Sequence, residues 1–342
     1  MSREMARKVA DAVLYEGYML YPYRPSAIKN RQRWTFGILY PPDYHEVREG
    51  TERAAMHSEC LLEITPKQTA RIAVQLRFLH LLRRQVLDYR DGRFVPVPSL
   101  LVNGRVMESW DEGVERSVEP EIPLPLHSPA VHHFHFAASQ HIEQLNDPSG
   151  QLAGRLARTQ SAIEGDVTLS TEVVRDGLLK LALDVANVSP IPDEGEGRDA
   201  ALLTSLLSAH TILTASGAQF VSLLEPPVEL GEAARACRNV GNFPVLVGMA
   251  PARDMMLCSP IVLYDYPQVA PESAADFFDA TEIDELLTLR VMTLTGEEKD
   301  EMRNADEHAR RLLQRTEATA RQQLQRTHGT FRAMSGTMGE RR

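Results

Sequence analysis

"ARIAVQLRFLHLL", residues 70–82, sets Ile72, Val74, Leu76 and Phe78 against Arg71, Ala73, Gln75 and Arg77. Successive side chains on a strand point to opposite faces, so this alternation describes a half-buried β-strand and not a helix. The pattern recurs through the first half of the chain. "DVTLSTEVV" alternates, and "LLKLALDVANVS" turns Leu179, Leu181, Leu183 and Val185 inward with Lys180 and Asp184 outward. Asp176-Gly177 lies between these two runs and predicts a hairpin. Asn103-Gly104 in "SLLVNGRVMESW" is the strongest hairpin signal in the chain. "DAVLYEGYMLYPYR" reads as a strand with Val13, Tyr15, Met19 and Tyr21 on one side and Leu14, Tyr18 and Leu20 on the other. "RWTFGILYPP" reads as a further strand, stopped by its two prolines. Seven or more strands joined by hairpins predict an antiparallel sandwich or barrel.

"SPIPDEGEGRD", residues 189–199, interrupts this pattern with proline, glycine and acid, and is the expected domain boundary. Beyond it, "DAALLTSLLSAHTIL" carries leucines at helical spacing behind Asp199 as a candidate N-cap. "AQFVSLLEPP" reads as a strand, "VELGEAARACRN" as a helix, and "FPVLVG" and "SPIVLYDYP" as strands. Ser273 with Asp276 and Thr281 with Asp284 resemble capping boxes. A final helix is expected from about Thr295, with acids in its first turns and arginines later, as the helix dipole favours. The expected class is α+β. A β-sandwich-like domain occupies 1–190, a smaller α/β part 199–295, and an amphipathic helix with its tail 296–342.

At 342 residues the chain can bury a large core. No apolar run reaches the length needed to span a bilayer, and the N-terminus has no signal-peptide core. Three widely spaced cysteines, Cys60, Cys237 and Cys258, fit reduced thiols in a cytoplasmic protein. The net charge of −10 argues against nucleic acid as a partner. Walker A, G-x-S-x-G and C-x-x-C motifs are absent.

Five of the eleven histidines fall between His127 and His141. On a strand His133 and His135 share a face and could bind one metal, with His127, His141 or a distant carboxylate as third ligand. The plainer alternative buries Phe134 and Phe136 and leaves both histidines on an exposed sheet surface. "GEGRDA", residues 195–200, matches G-x-G-x-x-A. No strand runs directly into it, and its acids would repel phosphate, so it reads as an acidic loop before a helix. Seven acids at 264–285 could bind a hard cation, but capping accounts for part of them. Cys237 and Cys258 read as structural, since no local signature supplies a base. No cofactor is expected.

"VLYEGYMLYPYRPSAIKNRQRWTFGILYP", "HTILTASGAQFVSLLEPP" and "CRNVGNFPVLVG…SPIVLYDYPQVAPESAADFFDATEIDELLTLRVMTLTGEEK" together resemble a conserved family found alongside actinobacterial-type, high-affinity NiFe hydrogenases. The resemblance covers most of the chain in order. The histidine stretch departs from it, because the family pattern there is aromatic. The resemblance implies a non-catalytic cytoplasmic factor that assembles, matures or regulates a NiFe hydrogenase, with hydrogenase subunits or their maturation proteins as partners. It carries over no catalytic residue. A metal-dependent enzyme using His133 and His135, and a structural subunit that forms homo-oligomers through its C-terminal helix, stand as alternatives. "SPIVLYDYPQVAPES" is stiffened by proline and rich in tyrosine, which suits a partner surface of Tyr264, Asp265, Tyr266, Pro267, Pro271 and Glu272.

Overall fold

In the computed structural model, the alternation at 70–82 extends to a twenty-residue strand, Arg71–Arg90, around which the first of two units is built. The structure describes residues 2–16, 33–65, 68–191, 197–268, 295–296, 299–300, 303, 310–311 and 313–314. The first unit spans Met1–Tyr18 and Trp34–Val269, and the second spans Met19–Arg33 and Ala270–Arg342. In the second unit the described residues between 296 and 314 are helical, and Arg303 pairs with Asp300 at 2.7 Å. Both capping boxes lie outside the described residues.

The first unit opens with a helix, α1 (Ser2–Tyr15), followed by β1 (Ala55–Ile64), β2 (Arg71–Arg90), β3 (Arg93–Val97), β4 (Ser99–Val102) and β5 (Arg105–Glu108). Then come β6 (Trp110–Val118), β7 (Glu121–Pro123), β8 (Ala130–Phe136), β9 (Ser139–Asn146), β10 (Leu152–Gln160), β11 (Ile163–Arg175) and β12 (Leu178–Asn187). The last four strands are β13 (Leu207–Ser216), β14 (Ala218–Phe220), β15 (Phe243–Leu246) and β16 (Met255–Ser259). About half the chain is strand and the described helices are few, so the α+β class holds in its broad sense.

One sheet runs β14–β1–β12–β11–β8. The other runs β15–β16–β13–β2–β10–β9, with β3, β6 and β7 also paired to β2. Strands from both sides of residues 189–199 therefore share both sheets. The two sheets enclose one core, to which Phe78, Leu169, Leu181, Leu213 and Phe220 all belong. β6 takes 76–84 of β2, with β7 and β3 in line along the same edge. β13 takes 71–79 and β10 takes 83–88, end to end along the opposite edge. They leave a gap in the ladder at 80–82. There the Gln160 side-chain amide donates to the His80 carbonyl at 3.4 Å.

Both expected hairpins form. Asn103 and Gly104 turn β4 into β5 with φ of 52° and 74°, the left-handed pair that a two-residue turn requires. β11 and β12 meet around Asp176-Gly177, with a bulge at Val173/Arg175. The inward positions Leu179, Leu181, Leu183 and Val185 are all buried.

Four local expectations are corrected. "DAVLYEGYMLYPYR" was expected as a strand, but Val13, Leu14 and Tyr15 end α1, and residues 17–32 lie outside the described set. The buried residues Ala6, Val9, Ala10, Val13 and Leu14 repeat at three and four, a helical period visible only when the residues before Asp11 are included. "RWTFGILYPP" contributes one isolated bridge, Leu39 to Leu206, because Trp34 and Gly37 both take left-handed φ and break the extended path. "DAALLTSLLSAHTIL" is helical only to Thr204, and from Leu207 it is strand β13. That strand is buried on both faces, Ser208, His210 and Thr211 included, so apolar and polar residues do not alternate along it and no strand period shows. The strand expected at "SPIVLYDYP" lies one segment earlier, at Met255–Ser259, and Pro260 closes it. Cys258 is consequently inside a strand. "VELGEAARACRN" does form a short helix, Gly231–Arg235, after a 3-10 turn.

α1 lies on the outer face of the larger sheet, packing Val9 and Val13 among Ile212, Val245 and Leu257. The buried Arg77 guanidinium binds Asp11 of this helix at 2.6 Å, and Tyr15 donates to Glu115 at 2.6 Å. No helix among the described residues is long and apolar enough to cross a membrane.

Phe134 and Phe136 both pack on Phe78, at 6.0 and 5.9 Å between ring centroids. Gly165, opposite Phe134 on β11, makes room for the first ring. A Cβ there would stand 2.2 Å from Phe134 Cζ and 2.8 Å from the Ala186 carbonyl oxygen. Gly165→Ala is therefore expected to cost about 2 kcal/mol by overpacking, read as a lower urea midpoint at unchanged slope. An unchanged midpoint would show that this corner repacks freely.

Candidate partner-binding site

The chain leaves β16 at Ser259, opposite Phe243, and returns to the outer side of β15 at Leu246. Asp265 and Tyr266 fasten that return. The Asp265 carboxylate accepts from the Leu246 N–H at 2.7 Å and from the Ser222 hydroxyl at 2.5 Å. The Tyr266 N–H donates to the Leu246 carbonyl at 2.7 Å, and its hydroxyl donates to the Ala252 carbonyl at 3.1 Å. Tyr266 also packs against the main core, and burial raises its pKa. Its φ of 54° is strained for a side chain of this size and is held by those contacts.

Fixing these two residues turns their neighbours outward. Tyr264 is 86% exposed and Val262 70% exposed. Of the six residues read from sequence as a partner surface, Tyr264 projects into solvent, Asp265 and Tyr266 are anchors, and Pro267 is half-buried. Pro271 and Glu272 lie outside the described residues.

Beside this loop opens a cavity of about 590 Å³, bordered by Phe36, Arg53, Met56, Asn239, Phe243 and Pro260. Its amides already serve the fold. Asn239 accepts from the Glu59 N–H at 2.9 Å, and the neighbouring Asn242 accepts from Ser58 and donates to the His57 carbonyl. Arg53 makes no ion pair among the described residues. Phe243, about half exposed, joins the cavity rim to the loop.

The histidine stretch forms β8 and β9. Phe134 is buried, and His133 and His135 point to the opposite face and are exposed, as the alternation implies. Across the ladder, His133 Nδ1 lies 2.5 Å from Asp166 and His135 Nε2 lies 3.9 Å from Glu164. Among the described residues, no three histidine, cysteine or carboxylate side chains gather to hold an ion. The acidic run beyond Gln268 lies outside the described residues. Cys60 and Cys258 are buried, and burial raises both thiol pKa values and takes Cys237 to about 11. These three thiols are held protonated, which suits structural roles.

Two further histidines lie in the core. His80 is wholly buried, with backbone groups of Ser161 and Leu203 near its ring but no well-formed hydrogen bond at either nitrogen. His210 is also wholly buried, with Nδ1 2.8 Å from the Ser208 carbonyl and Nε2 unpartnered. The alternation already placed His80 on the Phe78 face, so the signal was present in the spacing.

No protein-family model matches this chain, and no curated protein matches its sequence. Among solved structures, the chain resembles the secretin domain β-barrel of InvG from the Salmonella SPI-1 injectisome at 12% identity. That match covers 73% of this chain and 72% of the other, with a TM-score of 0.14. A second InvG structure matches at 13% identity, covering 73% and 74%, with a TM-score of 0.13. Scores this low carry no structural or functional argument.

Proposed function

We propose that this protein is a partner-binding accessory factor for a NiFe hydrogenase, acting in assembly or maturation through the loop at 260–268. The observation that carries the proposal is Tyr264, 86% exposed beside two residues bonded to the sheet edge. An aromatic side chain on a stiff loop loses little entropy when a partner covers it. Val262 and Phe243 add exposed apolar surface near the same sheet edge. The partner class, a hydrogenase subunit or one of its maturation proteins, comes from the family resemblance, as does a cytoplasmic location. The finer architecture belongs to the same proposal: a β-sandwich-like body that presents the loop, and an amphipathic C-terminal helix.

Tyr264→Ala is the matching test, since it leaves the anchors intact. Removing a tyrosine anchor costs about 2 kcal/mol, roughly thirtyfold in Kd. Hydrogenase activity in the producing cell should fall while the purified variant melts at the wild-type temperature. Normal hydrogenase activity with a folded variant would remove Tyr264 from the site.

A further inference from the structure

Among the described residues, one large sheet ends in β14 and β8, and the other in β15, β9 and the row β7, β6 and β3 along β2. A terminal strand offers unpaired N–H and C=O groups to any other strand, and proteins commonly blunt such edges. In the row along β2, β7 has three residues, β6 carries Asp111, Glu112, Glu115 and Arg116, and β3 carries Arg93 and Pro96. β14 is only three residues long. β15 has its Leu246 N–H and C=O taken by Asp265 and Tyr266. β9 carries a charge on Glu143, 3.3 Å from Arg158. β8 has none of these devices. It is seven residues long, pairs with β11 in unbroken register, and reads AVHHFHF without lysine, arginine, aspartate or glutamate.

The run without lysine, arginine, aspartate or glutamate extends from Ile122 to Ile142. Val131 is 50% exposed, and His132, His133 and His135 are exposed beside it. The nearest acids, Asp166 and Glu164, sit one strand back on β11, where they face His133 and His135. Burial of Phe134 fixes which face of β8 meets the core, so the free edge keeps one defined register.

We propose that β8 is a homodimer seam, pairing antiparallel with β8 of a second copy of this chain. An uncharged strand opposes its own twin with no like-charge penalty. A two-fold pairing also consumes the exposed edge of both copies at once and stops there, whereas a head-to-tail contact would continue into a filament. The dimer joins two five-stranded sheets into one continuous sheet. It is independent of the Tyr264 loop, and it places self-association on β8 and not on the C-terminal helix.

Sedimentation velocity of the full chain over about two decades of concentration tests this. The expected result is a species of twice 38.3 kDa that gives way to monomer on dilution. Val131→Lys should abolish that species with the melting temperature kept. Val173→Lys, on the neighbouring strand and 67% exposed, should leave it intact. Amides of 130–136 should exchange more slowly in the dimer than in the monomer. If Val131→Lys melts early, His132→Lys replaces it. A wild-type chain that stays monomeric overturns the proposal, as does a folded edge variant that dimerises like wild type, or protection that appears elsewhere and not at 130–136.

Discussion

Acidification from pH 7 to pH 4 is expected to remove several kilocalories per mole of stability, most of it through His80 and His210. Both are buried, and burial pushes each from the ordinary 6.5 down to about 4, with Arg116 near His80 and Arg77 near His210 adding repulsion. The unfolded chain then takes up protons between pH 6.5 and 4 that the folded chain refuses. Stability is therefore fully present above pH 6.5 and falls as pH drops toward 4, by about 3 kcal/mol for each histidine. Urea unfolding at a series of pH values checks this, with His80→Leu and His210→Leu as comparisons. Each variant should show a shallower fall over that window. His80→Leu should also cost little at pH 7, because neither nitrogen of the native ring makes a well-formed hydrogen bond. Variants whose stability falls in parallel with wild type would show that these rings are not the acid-sensitive groups.

Asp265→Ala is expected to cost about 3 kcal/mol, since it deletes two hydrogen bonds to a carboxylate and strands the Leu246 N–H at the sheet edge. The functional effect should exceed that of a bystander residue. Without Asp265, the segment before Tyr266 keeps only the Ile261 N–H bond to Ser259 and the packing of Leu263 among its described contacts, and Tyr264 pays more of the entropy of ordering when a partner binds. Hydrogen exchange should accelerate at Leu246 and through 262–266, and partner affinity should drop although Asp265 itself faces the protein. Asp265→Asn keeps an acceptor for Leu246 and should lose roughly half as much stability. Unchanged exchange in Asp265→Ala would mean that Tyr266 alone holds the loop.

The strands that were legible in the sequence are those with one wet face. β11, β12 and both ends of β2 alternate because each pairs inward apolar residues with outward, more exposed ones. The hairpin at Asn103-Gly104 was legible because two successive left-handed residues admit very few side chains. β13 was not legible, because burial on both faces erases the period. α1 was missed at its junction, where Val13, Leu14 and Tyr15 fit a strand as well as the end of a helix. In the candidate site, composition singled out this loop but could not assign inside and outside. Tyr264, Asp265 and Tyr266 are consecutive, and which of them faces the sheet depends on the Leu246 backbone, nineteen and twenty residues away in sequence. The β8 edge has the same character: a strand's alternation reveals its two faces, but not whether another strand lies beside it.

Tagged purification from the producing cell under hydrogenase-inducing conditions, with partners identified by mass spectrometry, addresses the interaction most directly. Wild type and Tyr264→Ala would be run side by side. Hydrogenase subunits or their maturation proteins should copurify with wild type and be depleted with the variant. Recovery of the wild-type protein with no hydrogenase component would contradict the account.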